Sequence, residues 1–300
     1  MESFQIFSTF AMAIFIEVIP FLAFGALISA LVEVFVSQER MLLIIPKNVA
    51  GGVALGIGAG FILPTCECGV VPIVRRLIHK GVPNHIAIAY MLAAPIVNPV
   101  VLISTYMAFN GNKSMVFARI VIAVIVASIM GLYARRFANV FRESTKNSLH
   151  DHHHKHHEHN HGGQTSLQKL KIVIIHAAGE FMEMGKYVII GALASAAFKT
   201  FMPMDVVIAM SENLIVSIIG MLILAILLSI CSEADAFVAS SFQSFPLGAK
   251  LAFMGIGPMV DLKLIGMYGA TFKRELVFAL IVGPTVLVFI LSWLFEKLLF

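Results

Sequence analysis

The amino-acid sequence predicts an all-α integral membrane protein: a polytopic helical bundle of two inverted repeats, each with about three full spans plus a broken or re-entrant helical hairpin. Three observations predict it. Of 300 residues, 59% are hydrophobic and 13% charged, and the mean hydropathy is +0.92, far outside the range of a soluble domain. Apolar runs of about 20 residues recur, long enough to cross a hydrocarbon core about 30 Å thick, and the alternation that a β-barrel needs is absent. The second half of the chain also repeats features of the first.

The first apolar run, Phe7 to Val36, carries Glu17 and Pro20 inside it. Met1-Glu2-Ser3-Phe4 lacks the basic region of a signal peptide, so this run reads as a retained first span. The second run, Val49 to Leu63, is short for a full crossing. It leads into Thr65-Cys66-Glu67-Cys68-Gly69-Val70-Val71-Pro72, then a short apolar piece and the basic cluster Arg75, Arg76, His79, Lys80. A hairpin that enters the membrane and returns would explain two short pieces around a broken tip. Ile86 to Phe109 and Val116 to Tyr133 read as full spans, the latter followed by Arg135, Arg136, Arg142 and Lys146. Basic clusters mark cytoplasmic loops, and Lys169, Lys171, Lys273 and Arg274 add to them. The first half then makes an odd number of crossings, which inverts whatever follows.

Shifted by 166 positions, Phe15 falls on Phe181, Glu17 on Glu183, Gly25-Ala26-Leu27 on Gly191-Ala192-Leu193, and Glu67 on Glu233. After a gap the shift becomes 163, and Pro83, Met91, Pro95 and Asn98 fall on Pro246, Met254, Pro258 and Asp261. The organisation expected is a first membrane repeat at 1–138, a His-rich cytoplasmic linker at 139–168 and a second membrane repeat at 169–300.

An ionisable residue at membrane depth costs about 2.5 to 3.5 kcal/mol even on a lenient scale, so it reads as functional by default. Cys66, Glu67 and Cys68 concentrate three titratable groups in an apolar setting. Two positions apart on a helix, the thiols would diverge; in extended backbone they would share a face. Thiolates select soft ions, and Glu67 or Glu233 would complete a shell. Asn98 and Asp261 supply oxygen beside Pro95, Pro99 and Pro258, and these prolines, with Pro64 and Pro72, are the expected helix breaks or gates. The candidate substrate-binding set is therefore Cys66, Glu67, Cys68, Asn98, Glu233 and Asp261.

Glu17, Glu180, Glu183, Lys186, Asp235 and Lys263 also lie in or near apolar runs. Glu183 and Lys186 are spaced to neutralise each other on one helix face, whereas Asp261 and Lys263 would need a second helix to meet. Gly52, Gly56 and Gly60 recur every fourth residue, a spacing that lets another helix approach closely. Gly56-Ile57-Gly58-Ala59-Gly60 is no phosphate loop, since neither a strand before it nor a Gly-Lys-Ser/Thr after it is present.

The linker holds His150 to His161, in which His152, His153, His154, His156, His157, His159 and His161 are candidate metal ligands. Neutral imidazole binds zinc and related transition metals, so no cofactor is expected apart from bound zinc or another transition metal at this loop. The other reading of the tract is a solvated linker.

On Thr65-Cys66-Glu67-Cys68-Gly69-Val70-Val71-Pro72, Arg75-Arg76, Lys80-Gly81-Val82-Pro83 and Met91-Leu92-Ala93-Ala94-Pro95-Ile96-Val97-Asn98-Pro99, the chain resembles the predicted permease family that includes the ArsP-like organoarsenical exporters. The likeness covers nearly the whole chain apart from the histidine loop. It implies a polytopic inner-membrane permease. In the arsenical branch paired cysteines handle trivalent arsenic, and that role would fall on Cys66 and Cys68. The chain departs by placing Glu67 between them, where a small polar residue is expected, and by adding the histidine loop. Both departures leave room for a metal ion as cargo.

The reading is a membrane permease, not an enzyme: a secondary transporter, with export as its direction, for a soft metal or metalloid species such as a divalent metal ion or a trivalent arsenical. The alternatives are a membrane thiol oxidoreductase using the Cys-x-Cys pair, whose disulfide would be strained and oxidising, and a metal-sensing membrane subunit. The expected partners are the lipid bilayer, the small cargo, and a homodimer mate or second membrane subunit. The net charge of +4 reflects loop-end basic residues and not a nucleic-acid surface. The expected location is the inner or plasma membrane, multi-pass, with the histidine loop in the cytoplasm.

Overall fold

In apolar surroundings each backbone N–H and C=O must be satisfied within its own segment, which favours helix. The computed structural model describes residues 2–35, 45–46, 48–63, 65–137, 139–141, 166–201, 211 and 213–299. Among them the chain forms twelve α-helices and no strand beyond one bridge between Phe141 and Phe272. Six precede the linker: α1 Glu2–Phe35, α2 Val49–Ile62, α3 Glu67–His79, α4 Asn84–Val97, α5 Pro99–Ala108 and α6 Lys113–Ala134. Six follow it: α7 Ser166–Phe201, α8 Leu214–Leu228, α9 Asp235–Ser241, α10 Leu247–Ile256, α11 Leu262–Thr271 and α12 Arg274–Leu298. Among the described residues, five stretches are long and apolar enough to cross a membrane: Phe7–Leu31, Asn84–Ala108, Lys113–Ala134, Leu170–Phe198 and Arg274–Leu298. The protein is thus an all-α polytopic membrane protein.

Polar side chains punctuate these apolar helices. Asn48, Asn98, Asn112 and Asn213 each accept a hydrogen bond from the backbone N–H two residues on, which caps α2, α5, α6 and α8. Asp261 does the same for α11 through Leu264 N–H at 2.6 Å.

α1 lies along α7, α2 packs on α4 and α4 on α6, while α8 packs on α10 and α10 on α12. The short helices cross between the two sets: α3 meets α11, and α5 meets α9. Every residue of α4 from Ile86 to Val97 is buried, as expected of a helix apolar on all sides. Gly52, Gly56 and Gly60 all face α4. A Cβ at Gly56 would stand 2.5 Å from the Ile86 carbonyl oxygen, and one at Gly60 would stand 2.6 Å from the Ala94 Cα. A Gly56→Leu substitution is therefore expected to force α2 off α4 and lower stability by about 1 to 3 kcal/mol, measured as a drop in thermal midpoint.

The prolines depart from expectation. Pro72 and Pro95 lie inside α3 and α4 without ending them; each removes one backbone donor, and close packing holds the helix through it. The break falls at Asn98 (φ −55°, ψ 129°), because Pro99 excludes the α conformation from the residue before it. Pro258 lies in the turn between α10 and α11, and Pro64 falls outside the described residues.

Candidate functional site

Four interruptions lie near one another: Leu63, Thr65 and Cys66 between α2 and α3, Asn98 between α4 and α5, residues 229–234 between α8 and α9, and residues 257–261 between α10 and α11. Ser229 closes α8 in the left-handed conformation (φ 47°). Its hydroxyl accepts a hydrogen bond from Leu262 N–H at 3.1 Å, which ties the third interruption to the fourth.

The Cys-Glu-Cys stretch straddles the start of α3. Cys66 is its N-cap, in extended backbone (φ −76°, ψ 167°), while Glu67 and Cys68 are already helical. The backbone is extended at Cys66 alone, since α3 begins between the two thiols, yet the thiols still lie within hydrogen-bond contact of each other. Glu67 lies in the first turn of α3. Cys66, Cys68 and Cys231 are all buried and free.

Cys66 and Asn98 meet Glu233 on the wall of a cavity of about 220 Å³, with Thr65, Gly69 and Gly25 beside them. Thr65 Oγ1 lies 3.3 Å from the Tyr90 hydroxyl. Gly25 is required here: a Cβ at that position would lie 2.5 Å from the Gly69 Cα.

Glu67 and Asp261 lie behind this wall, fully buried. Ser232 Oγ is 3.3 Å from Glu67 Oε2 and 3.4 Å from Glu233 Oε2, so one hydroxyl bridges an acid of α3 to an acid of the α8–α9 junction. Glu67 Oε1 is 3.5 Å from Lys263 Nζ, which is itself 3.4 Å from Asp261 Oδ2. Lys263 and Asp261 thus meet without a second helix between them, because Asp261 is an extended cap and not a helical residue. All six sequence-predicted binding residues therefore belong to one neighbourhood. Cys66, Asn98 and Glu233 face the cavity, and Glu67, Cys68 and Asp261 are buried around it.

A second buried network is anchored on Arg119, which has 0% exposure. Its guanidinium donates to Asp235 Oδ2 at 2.6 Å, to Thr105 Oγ1 at 2.7 Å and to the Ser232 carbonyl at 3.5 Å. It thereby brackets the segment that carries Glu233. The sequence analysis passed over Arg119, although the rule that found Glu67 would have found it: a charge in the middle of a 22-residue apolar helix.

Other charges are placed differently from expectation. Glu183 does not pair with Lys186; it accepts from Arg75 Nη1 of α3 at 2.9 Å, while Lys186 lies over the Tyr187 ring. Arg76 Nε lies 3.7 Å from Glu180 Oε2, so the end of α3 away from the cavity is tied to α7. Among the described residues no group of three or more His, Cys, Asp or Glu is placed to hold a metal ion, and the histidines at 152–161 fall outside them.

The comparisons with known proteins agree with this architecture. The family profile ArsP_1, described as a predicted permease, matches residues 3–297. The UPF0718 protein YcgR of Bacillus subtilis is 43% identical over 288 residues, covering 96% of both chains. A protein of Streptococcus mutans named a putative two-component membrane permease complex subunit is 36% identical over 284 residues, covering 93% of this chain and 91% of that one. No solved structure shows a significant match.

Proposed function

The chain belongs to the predicted permease family ArsP_1, and on that premise we propose that it is a secondary permease, an exporter in direction, whose cargo is a soft metal or metalloid species passing through the cavity at Cys66, Asn98 and Glu233. The observation that carries this reading is that three helix interruptions line one cavity, with a thiol from the first set of helices and a carboxylate from the second on its wall, while the fourth lies behind it at Asp261. Unwound backbone at membrane depth is tolerated where it lines such a space.

In this reading residues 1–138 and 169–300 are inverted repeats around a cytoplasmic histidine linker. The six-and-six helix order and the matching packing of α2, α4 and α6 with α8, α10 and α12 support it. Cys66 receives the cargo first and Cys68, one residue into α3, receives it second. The histidines of the linker capture zinc or a similar ion at the cytoplasmic mouth of an inner-membrane protein. Assembly with a second membrane subunit, or with a second copy, is part of the proposal; it is supported by the name of the Streptococcus mutans relative.

The test is resistance and whole-cell accumulation for a panel of metals and arsenicals. Cys66→Ser and Cys68→Ser are each expected to lower flux by about tenfold or more, with thermal unfolding unchanged. Flux unaltered in both single variants and in the double variant would remove the thiols from the cargo path.

A further inference from the structure

Lys263 is the feature that the permease reading leaves unused. Around the cavity stand four carboxylates (Glu67, Glu233, Asp235 and Asp261) and two cations (Arg119 and Lys263), a formal excess of two negative charges. Arg119 is committed to Asp235 at 2.6 Å, so Lys263 alone faces Glu67 and Asp261. It commits to neither. Its ammonium lies 3.5 Å from one and 3.4 Å from the other, whereas a charge-assisted hydrogen bond settles at about 2.7 to 2.9 Å. Glu67 Oε1, Asp261 Oδ2 and Lys263 Nζ are all buried without a hydrogen-bond partner.

An isolated buried charge is strongly unfavourable, so two carboxylates in such surroundings are held by a positive charge between them or by protonation. In this structure the chain supplies that charge itself. The route by which another cation would arrive is also present: Glu233 on the cavity wall is joined to Glu67 through the Ser232 hydroxyl. The Lys263 backbone is fixed, since a Cβ at Gly191 of α7 would lie 2.8 Å from its Cα. Only its side chain is free to give way.

We propose that the cargo is a cation and that Lys263 is its tethered stand-in, holding the place between Glu67 and Asp261 until an incoming cation displaces the ammonium and loosens the contact of α3 with α11. The proposal rests on the permease reading and narrows it, since a neutral metalloid species carries no charge with which to displace Lys263.

The experiment is equilibrium binding to the purified full chain, with Zn²⁺ and Cu⁺ as cationic probes and phenylarsine oxide as a neutral thiol-reactive probe. Lys263→Gln removes the competitor and is expected to bind at least one of the two cations about tenfold more tightly. Lys263→Arg keeps the charge and is expected to bind like wild type. Asp261→Asn is expected to bind cations about tenfold more weakly. It keeps the cap of α11, because Asn98 caps α5 in the same manner, so it decides the matter if Lys263→Gln fails to fold. Phenylarsine oxide binding should be equal in all four proteins. The proposal is overturned if Lys263→Gln folds and gains no affinity while Asp261→Asn loses none, or if the neutral probe changes in parallel with the cations. A protein that shows the expected binding pattern yet moves neither probe across liposomes would sink the permease reading and leave only the cation site guarded by Lys263 standing.

Discussion

Replacing Arg119 with methionine is expected to cost about 3 to 5 kcal/mol of stability, because truncating one partner of a buried ion pair leaves the other charge without compensation. The orphan would be Asp235, at 1% exposure, and the Ser232 carbonyl would lose a donor as well. Thr105 would suffer less, since its hydroxyl donates to the Val101 carbonyl at 2.7 Å. The double variant Arg119→Met with Asp235→Leu is expected to recover most of the loss, as apolar replacement of both partners is often close to neutral. Unfolding midpoints of the four proteins in one detergent form the cycle. An Arg119→Met protein that melts with the wild type would show that this pair holds nothing.

Glu233→Gln should produce the opposite pattern: little change in melting and a fall in transport of about tenfold or more. Glu233 is half-buried and lines the cavity, so the neutral amide is hydrated as readily as the acid, and its side-chain oxygen still accepts from Ser232 Oγ. What is lost is the negative charge that greets the cargo. Glu67→Gln, one hydroxyl further in, should lower both stability and transport, because it takes a counter-charge from Lys263. If Glu233→Gln transported normally in the same assay, the cavity would not be the path.

The acids at the centre were legible in the sequence because charge is costly in apolar surroundings and because Glu67, Glu233, Asn98 and Asp261 recur in register. Their neighbours were less so. Lys263 looked ambiguous because its partner Glu67 is 196 positions away in the chain. Arg119 went unremarked because its helix is otherwise uniform and no matching residue in the second half drew attention to it. The prolines were read too literally: Pro72 and Pro95 pass through helices, and the turn at Asn98 is imposed by Pro99 on the residue before it. The spacing of Gly52, Gly56 and Gly60 identified a helix-packing face, and the structure supplies its occupant, α4.

The two buried ion networks run crosswise. Glu67 of α3 is matched by Lys263 of α11, and Asp235 of α9 by Arg119 of α6. The first portion made alone would therefore strand Glu67 and Arg119 in oil, and the second would strand Asp235 while leaving Lys263 with Asp261 only. Biogenesis is then a matter of waiting: the early helices stay electrically unfinished until the last third of the chain has been synthesised and inserted beside them.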